Sequence, residues 1–514
     1  MTHWIAAPIL LPAILAPFIV LAARYHMGIQ RVFSVAGVVA LIAVAAGLAW
    51  QASDGTIILY QMGDWAAPFG IVLVGDRLST LMVLLTSVLA LMVLLYAIGS
   101  GWDERGRHFH ALFQFQLMGI TGAFLTGDLF NLFVFFEVLL IASYGLMIHS
   151  GGNERLRAGV QYVLFNLIGS TLFLFALGSI YAETGTLNMA DLALRVGSVD
   201  PSETVGIRVA AVLLLLVFAI KAALMPLHFW LPSSYAEAPA PVAALFAIMT
   251  KVGAYAIIRV YTMVFPPDLD VTAGLHTTWL LPAALISLGL GAAGVLAARK
   301  LDRLVTFAVI GSMGMVMVTI SLFTPQATAA ALYYIIHSTF SAAALFLIVD
   351  MVKSGRTDLR LVPMPAIGGA VLVSALFFTA AIAMAGLPPL SGFLGKLLVL
   401  DASYATGAMV WVFAIVLISS LVNVVGFSRA GSTLFWKAKS VERPEGEDIP
   451  KAPSVLSCVA VGGLVALLVA HTVFAGPIHT YMTTTAQQLY APEPYISTVL
   501  DTPGKLSKPK AEDH

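Results

Sequence analysis

Five ionisable side chains stand inside stretches that otherwise look like lipid: Glu137, Lys221, Lys251, His337 and Lys396. Glu137 lies in the middle of NLFVFFEVLLIASYG, within an apolar run from Asp128 to His149 that is long enough to cross a bilayer. A charge at the centre of a membrane helix costs roughly 2.5–3.5 kcal/mol on the most lenient scale, so each group must be offset or used. Carboxyl, ammonium and imidazole groups carry protons, and burial and neighbouring charge set how tightly each holds one. A change of partner is therefore a change of proton affinity, which suits proton transfer along a buried path. The competing reading makes Glu137 and Lys221 an ion pair that only fixes helix packing. Three lysines, one glutamate and a histidine, spread over five spans, exceed what packing needs and favour the relay.

Helical spacing extends the polar path. Tyr144 follows Glu137 by seven residues, His228 follows Lys221 by seven, and Tyr255 follows Lys251 by four. Tyr333 and Ser341 lie four residues to either side of His337, so one stripe of that span is polar. Arg259 and Arg429 sit nearer span ends, where a long side chain can reach polar surroundings. His108 and His110 form an H-x-H pair that reads as part of a solvated basic loop. No P-loop, dinucleotide fingerprint, C-x-x-C or H-E-x-x-H is present, so neither a cofactor nor a metal site is expected. The one cysteine, Cys458, excludes an internal disulfide and any multi-cysteine cluster.

The elements that must position these groups follow from composition. Of 514 residues, 59% are hydrophobic and 11% charged, with a mean hydropathy of +0.93. A soluble domain of this size could not cover its surface with so few polar groups. Recurring apolar runs of about 20 residues identify an all-α polytopic membrane protein rather than a barrel of short alternating strands. Basic and acidic residues balance at 27 each, which gives no reason to expect nucleic acid as a partner. Without a basic leader and cleavage signature, the first apolar run is expected to be a retained span.

Fourteen spans are expected, near 4–24, 32–50, 77–99, 109–127, 128–149, 158–181, 207–230, 240–264, 276–298, 303–323, 327–352, 366–400, 407–435 and 454–475. Alternate loops carry Arg24 and Arg31; Arg105 and Arg107; Arg155 and Arg157; Arg299, Lys300 and Arg303; Lys353, Arg356 and Arg360; and Lys437, Lys439, Arg443 and Lys451. The opposite loops hold Arg77, Arg195 and Arg208 ahead of the tail. Sixteen against three orients both termini to the outside. Residues 51–76 are expected to form an extended or hairpin cap, and 182–206 a polar loop with NMADLALR as a short surface helix. The segment WKAKSVERPEGEDIPKAP reads as a charged inner linker, and the tail from 476 as partly ordered at best.

Two spans carry breaks, KAALMPLHFWLP and AMAGLPPLSGFLGK. Proline frees the carbonyl four residues earlier, so Pro226 frees that of Ala222, and Pro388 and Pro389 free those of Met384 and Ala385. Interruptions at matching places in two halves point to a transport site between inverted repeats, here spans 4–8 and 9–13. Ordinary proline kinking, common in membrane helices, is the competing reading, and the matching placement favours the transport site. The organisation expected is 1–108, the first three spans with their cap; 109–264 and 265–435, the two repeats; 436–475, the linker and last span; and 476–514, the tail.

Glu137 in span 5, KAALMPLHFWLPSSYAEAPAPVAALFAIMTKVGAYAIIR, HSTFSAAALFLIVD and GLPPLSGFLGK resemble the proton-translocating antiporter-like family. That family includes membrane-arm subunits of respiratory complex I and large subunits of Mrp cation/proton antiporters. TKVGAYAIIRVYTMVF, NVVGFSRAGSTLFWK and LYAPEPYISTVL are most similar to its D-type Mrp subunits. The resemblance covers nearly the whole chain. It implies fourteen helices with inverted five-helix repeats and broken helices 7 and 12. It also implies a helix-5 glutamate paired with a helix-7 lysine, matched by Glu137 and Lys221. The helix-8 lysine matches Lys251, the helix-12 lysine Lys396, and His337 falls at a linking position. The implied activity is secondary transport of H⁺ against a monovalent cation such as Na⁺, not an enzymatic reaction. The implied setting is a bacterial plasma membrane and a hetero-oligomer with other Mrp-type subunits. Two other roles fit the same residues: a proton-pumping subunit of a complex I-like or hydrogenase complex, and a non-transporting scaffold.

Overall fold

The computed structural model describes residues 2–199, 205–356, 358–443, 445 and 450–504. The first helices are α1 (Ala7–Leu21) and α2 (Met27–Ala52), followed by strands β1 (Ile58–Gln61) and β2 (Val72–Gly75) and helix α3 (Arg77–Ser100). Next come α4 (Phe109–Leu125), α5 (Leu129–Met147), α6 (Asn153–Thr184), the short α7 (Met189–Gly197), α8 (Val205–Lys221), α9 (Trp230–Glu237) and α10 (Ala240–Met263). The second half holds α11 (Leu275–Ala297), α12 (Leu301–Ile320), α13 (Pro325–Ser354), α14 (Ala370–Ala385), α15 (Ser391–Ser403) and α16 (Met409–Gly431). Three helices close the chain: α17 (Val455–Val473), α18 (Ala475–Leu489) and α19 (Glu493–Leu500).

Eleven helices among the described residues are long and apolar enough to cross a membrane, and α4 and α14 are shorter apolar helices. In its most apolar stretch α10 is 100% buried and α12 and α13 are 89% buried, against 33% for α2, α16 and α17. The first three therefore form the centre of the bundle and the others its rim. Rim helices expose Trp50, Leu164, Ile418 and Leu421, an apolar surface suited to hydrocarbon.

Both expected breaks are present. Helix α8 stops at Lys221 and α9 starts at Trp230, while α14 stops at Ala385 and α15 starts at Ser391. The cap at 51–76 is the antiparallel pair β1–β2, with Ile58 opposite Gly75. A single bridge from Leu73 to Thr126 fastens the cap to the end of α4, and one from Asp128 to Asn188 ties the start of α5 to the start of α7. NMADLALR begins α7, whose first turn is capped by the Asn188 side chain. The rest of that expected loop at 200–204, the linker residues 444 and 446–449, and the tail beyond 504 lie outside the described residues.

Three expectations are corrected. The described part of the tail, 476–504, is not loosely ordered: Met482, Thr485, Ala486 and Leu489 recur on one face of α18 and bury it. Side chains add anchors, with Gln488 Nε2 donating to the Gly55 carbonyl at 3.1 Å and Tyr490 Oη 3.2 Å from Thr328 Oγ1. Arg259 does not reach out of the bundle. It is buried and forks onto Asp76 at 2.6 and 2.7 Å, because the N-cap of α3 supplies a counter-ion beside it. Tyr495 of α19 covers that pair, its ring 5.3 Å from the Arg259 guanidinium.

His110, third, is buried within α4 instead of lying in a solvated loop. Its Nε2 is 3.2 Å from Asp103 Oδ2, which Arg31 Nε also meets at 2.6 Å. Burial alone would push the Asp103 carboxyl up, but hydrogen bonds from His110 and Arg31 hold it below the usual carboxylate range. A depressed carboxylate stabilises the fold above its unfolded value, about 3.9, and loses that contribution as pH falls through the folded value. Asp103→Asn should therefore lower the unfolding temperature of the detergent-solubilised protein at neutral pH. The gap to the native chain should close only below about pH 4.

Candidate functional site

The two breaks place lysines against oxygens that no helix is using. At the second break the Ala385 carbonyl, which Pro389 leaves without a helical donor, accepts from Lys396 Nζ at 2.6 Å. The same ammonium donates to Ser420 Oγ of α16 at 2.8 Å. Gly386, with φ +78°, turns the chain directly under this lysine; a Cβ there would lie 2.6–2.8 Å from Cδ, Cε and Nζ of Lys396. Gly392 is equally constrained, since its Cβ would meet the Ala383 carbonyl oxygen at 2.0 Å and the His337 ring at 2.9 Å. His337, wholly buried on α13, has Nδ1 2.9 Å from Ser391 Oγ, the first residue after the break.

At the first break α8 ends on Lys221 itself. The Trp230 indole N–H takes up the Ile220 carbonyl at 3.0 Å, and the Met225 N–H donates to Ser287 Oγ of α11 at 2.8 Å. Lys221 Nζ donates to Asn166 Oδ1 at 3.3 Å and lies 5.8 Å from the centre of the Phe136 ring. Glu137 accepts a short hydrogen bond from Ser170 Oγ. Asn166 and Ser170 stand one turn apart on α6, both buried, so α6 presents one polar group to each charge.

The expected Glu137–Lys221 pair is thus not a contact pair. No Lys221–Glu137 approach within 4.0 Å occurs among the described residues, although the two charges remain within electrostatic reach. Two neutral side chains of α6 stand at the junction instead. Lys251 occupies the wholly buried α10, and its Nζ has no hydrogen-bond partner among the described residues, nor has Thr250 Oγ1 beside it. Helix α10 packs on α8 through Gly253, where a Cβ would meet the Ala222 nitrogen at 2.7 Å and the Lys221 carbonyl carbon at 3.0 Å. On its other side α10 packs on α13, which carries His337.

All five residues read from the sequence are therefore located, in three groups. Glu137 and Lys221 flank α6, Lys251 stands in the central helix, and His337 and Lys396 meet the second break. The spacing argument for His228 fails, because α8 ends at Lys221 and His228 lies in the non-helical stretch, stacked on Phe229. Tyr255 and Ser341 are on their expected helices but satisfied locally, by the Phe124 and Ser338 carbonyls. Asn166, Ser170, Ser391 and Ser420 were not singled out from the sequence. The N-x-x-x-S spacing of 166 and 170 within an apolar run was the available signal.

The family described as "NADH:quinone oxidoreductase/Mrp antiporter, TM" matches residues 126–422. The D-type subunit of a probable K(+)/H(+) antiporter from Rhizobium meliloti is 37% identical, over 98% of this chain and 98% of that one. The D-type subunit of the Na(+)/H(+) antiporter from Alkalihalophilus pseudofirmus is 38% identical, over 97% of this chain and 100% of that one. Among solved structures, a chain of the Mrp complex from Dietzia sp. DQ12-45-1b superposes with a TM-score of 0.87 at 27% identity, covering 97% of this chain and 100% of that one.

The two glycines beside Lys221 give a packing test. At Gly169 the nearest atoms to a Cβ would be those of the Ile220 and Lys221 side chains, at 3.4–3.8 Å, an ordinary contact. Gly169→Ala should leave thermal unfolding of the solubilised protein unchanged. Gly253→Ala, which presses on backbone, should destabilise it by about 1–3 kcal/mol, the usual range for overpacking.

Proposed function

Because the chain belongs to the family of NADH:quinone oxidoreductase and Mrp antiporter membrane subunits, we propose that it is the proton-conducting subunit of a multisubunit monovalent-cation/proton antiporter. The observation that carries this reading is the succession of ionisable groups from the half-buried Glu137 on α5 to the buried Lys221, Lys251, His337 and Lys396, with lysines at both helix breaks. A transport pathway needs groups that can gain and lose a proton in a dry interior, and a packing core does not. Partners of the same assembly are other Mrp-type subunits, and the relatives' names leave Na⁺ and K⁺ as the candidate cations.

In this reading the chain has fourteen spans, with α8–α9 and α14–α15 each counted as one broken span. Helices α4–α10 and α11–α16 are the two inverted five-helix repeats, and both termini face outward. The breaks support the repeat assignment, since each follows an apolar half-helix and each holds a lysine. The excess of basic residues on one set of loops supports the orientation. Protons moving inward gain about 2.3 kcal/mol per charge per 100 mV of membrane potential, which drives the cation outward.

Lys221 is the group whose partner changes. Held by Asn166, it stands apart from Glu137; a small shift of α8 or α5 replaces that amide by the carboxylate and raises its hold on a proton. Ser170 occupies Glu137 in the separated state, so the hydroxyl and the ammonium compete for one carboxylate. Lys251 and His337 pass the proton on, and Lys396 is the far gate. No covalent bond other than O–H and N–H changes along the way.

Glu137→Gln, Lys221→Ala and Lys396→Ala should each reduce cation-driven pH change in everted vesicles about a hundredfold, a common loss for a group that transfers protons. The complex should still co-purify. Exchange at the native rate in an assembled variant would contradict the relay, and electron-transfer subunits in the purified complex would point to the pumping role instead.

A further inference from the structure

Two polar stripes run from the buried relay toward the face that bears the β1–β2 cap and α18–α19. The first follows Lys251, Tyr255 and Arg259 on α10. It ends at the Asp76–Arg259 pair under Tyr495, where the lining Arg259, Gln488 and Tyr495 leave only about 10 Å³. That end is closed by a bidentate ion pair and a tyrosine.

The second stripe follows Ala329, Tyr333 and His337 on α13, spaced four residues apart and so on one face. Its outer end opens on a cavity of about 290 Å³ lined by Gln326, Ala329, Leu398, Asp401, His479 and Thr483 among others. Beside Tyr333, midway along that stripe, stands a residue that the relay has not used. His471, two residues from the end of α17, is buried and stacks on Tyr333 with ring centres 4.1 Å apart. Its Nε2 lies 3.2 Å from the Tyr333 carbonyl, and the Tyr333 hydroxyl returns a bond to the His471 carbonyl at 3.2 Å.

A backbone carbonyl can only accept, so Nε2 must carry the hydrogen. That fixes the tautomer and leaves Nδ1 as a basic lone pair, which has no partner among the described residues. His337 is in a similar state further in, with Nδ1 engaged by Ser391 and Nε2 unpartnered. A packing histidine would need neither an unpartnered ring nitrogen in a dry site nor a second such histidine inward of it.

We propose that His471, stacked on Tyr333, is a proton carrier that joins the cavity between α13, α15 and α18 to His337. The inference rests on the relay reading above and adds its access to the capped face. A hydronium in the cavity gives its proton to Nδ1, and the imidazolium passes one on toward His337 Nε2. Each step breaks one O–H or N–H bond and forms another, with no other reactant.

The test uses the assembled complex in vesicles of both orientations. His471→Phe keeps a ring against Tyr333 but cannot carry a proton, and exchange should fall at least tenfold with assembly intact. His471→Ala should be restored by imidazole added on the capped side and not by pyrazole, which has similar volume but little basicity. Since Cys458 is the one cysteine, Cys458→Ala with Ala329→Cys provides a second arm that leaves His471 in place. A charged, impermeant thiol reagent should then block exchange from the capped side alone. Native exchange in His471→Phe overturns the proposal, as does rescue by pyrazole equal to that by imidazole, or indifference of the Ala329→Cys chain to the reagent. If the His471 variants fail to assemble, the thiol arm decides. A native complex with no exchange at all overturns the relay reading itself.

Discussion

An ammonium group in the bundle needs an oxygen that no helix is already using. That constraint organises the structure around the lysines at the two breaks, Lys221 and Lys396, while Lys251 alone of the three has no hydrogen-bond partner among the described residues. In a continuous helix every carbonyl is taken by the N–H four residues on, so a buried lysine has nothing to bind unless the helix ends or a polar side chain is supplied. Both solutions occur. Lys396 binds the carbonyl that the Pro388–Pro389 break releases, and Lys221, at the last turn of α8, binds the Asn166 amide of a neighbouring helix. The glycines at 253, 386 and 392 follow from the same requirement, because backbone must approach backbone or lysine more closely than a Cβ allows.

The outcome is a set of charges that are accommodated but not neutralised. Asp76 and Arg259 make the contrast clear: they form a bidentate buried pair, capped by Tyr495, and such a pair is costly to separate. Glu137 and Lys221 are held apart by neutral groups on α6, each weaker than a direct ion pair. A bond to a hydroxyl or an amide can be exchanged for a carboxylate–ammonium contact at small net cost, whereas a fork of two charge-assisted bonds cannot. The Asp76–Arg259 fork is locked in the buried interior, whereas Glu137 is only half-buried and meets Ser170 in place of Lys221.

The buried charges were legible because an ionisable residue in an apolar run stands out, and the breaks because proline marks them. Fold class followed from composition for the same reason. What sequence spacing missed depends on neighbours in space. Asn166 and Ser170 are neutral and unremarkable within a helix of 32 residues until α5 and α8 pack against them. Arg259 was expected at the surface because its counter-ion lies far away in sequence, at the cap of α3. His228 was placed on a helical face that ends before reaching it. The tail was expected to be loose because its polar residues dominate its composition, yet four residues on one face of α18 are enough to bury it.

The central claim is that Glu137 changes partner, from Ser170 to Lys221, as protons move. Infrared difference spectra of the reconstituted complex, recorded as a cation gradient is imposed, observe that carboxylate directly. A carboxylate band should shift when the gradient is applied, disappear in Glu137→Gln, and start from the shifted position in Ser170→Ala, where the hydroxyl no longer competes. A native spectrum identical to that of Glu137→Gln, in a complex that still exchanges ions, would contradict the switch.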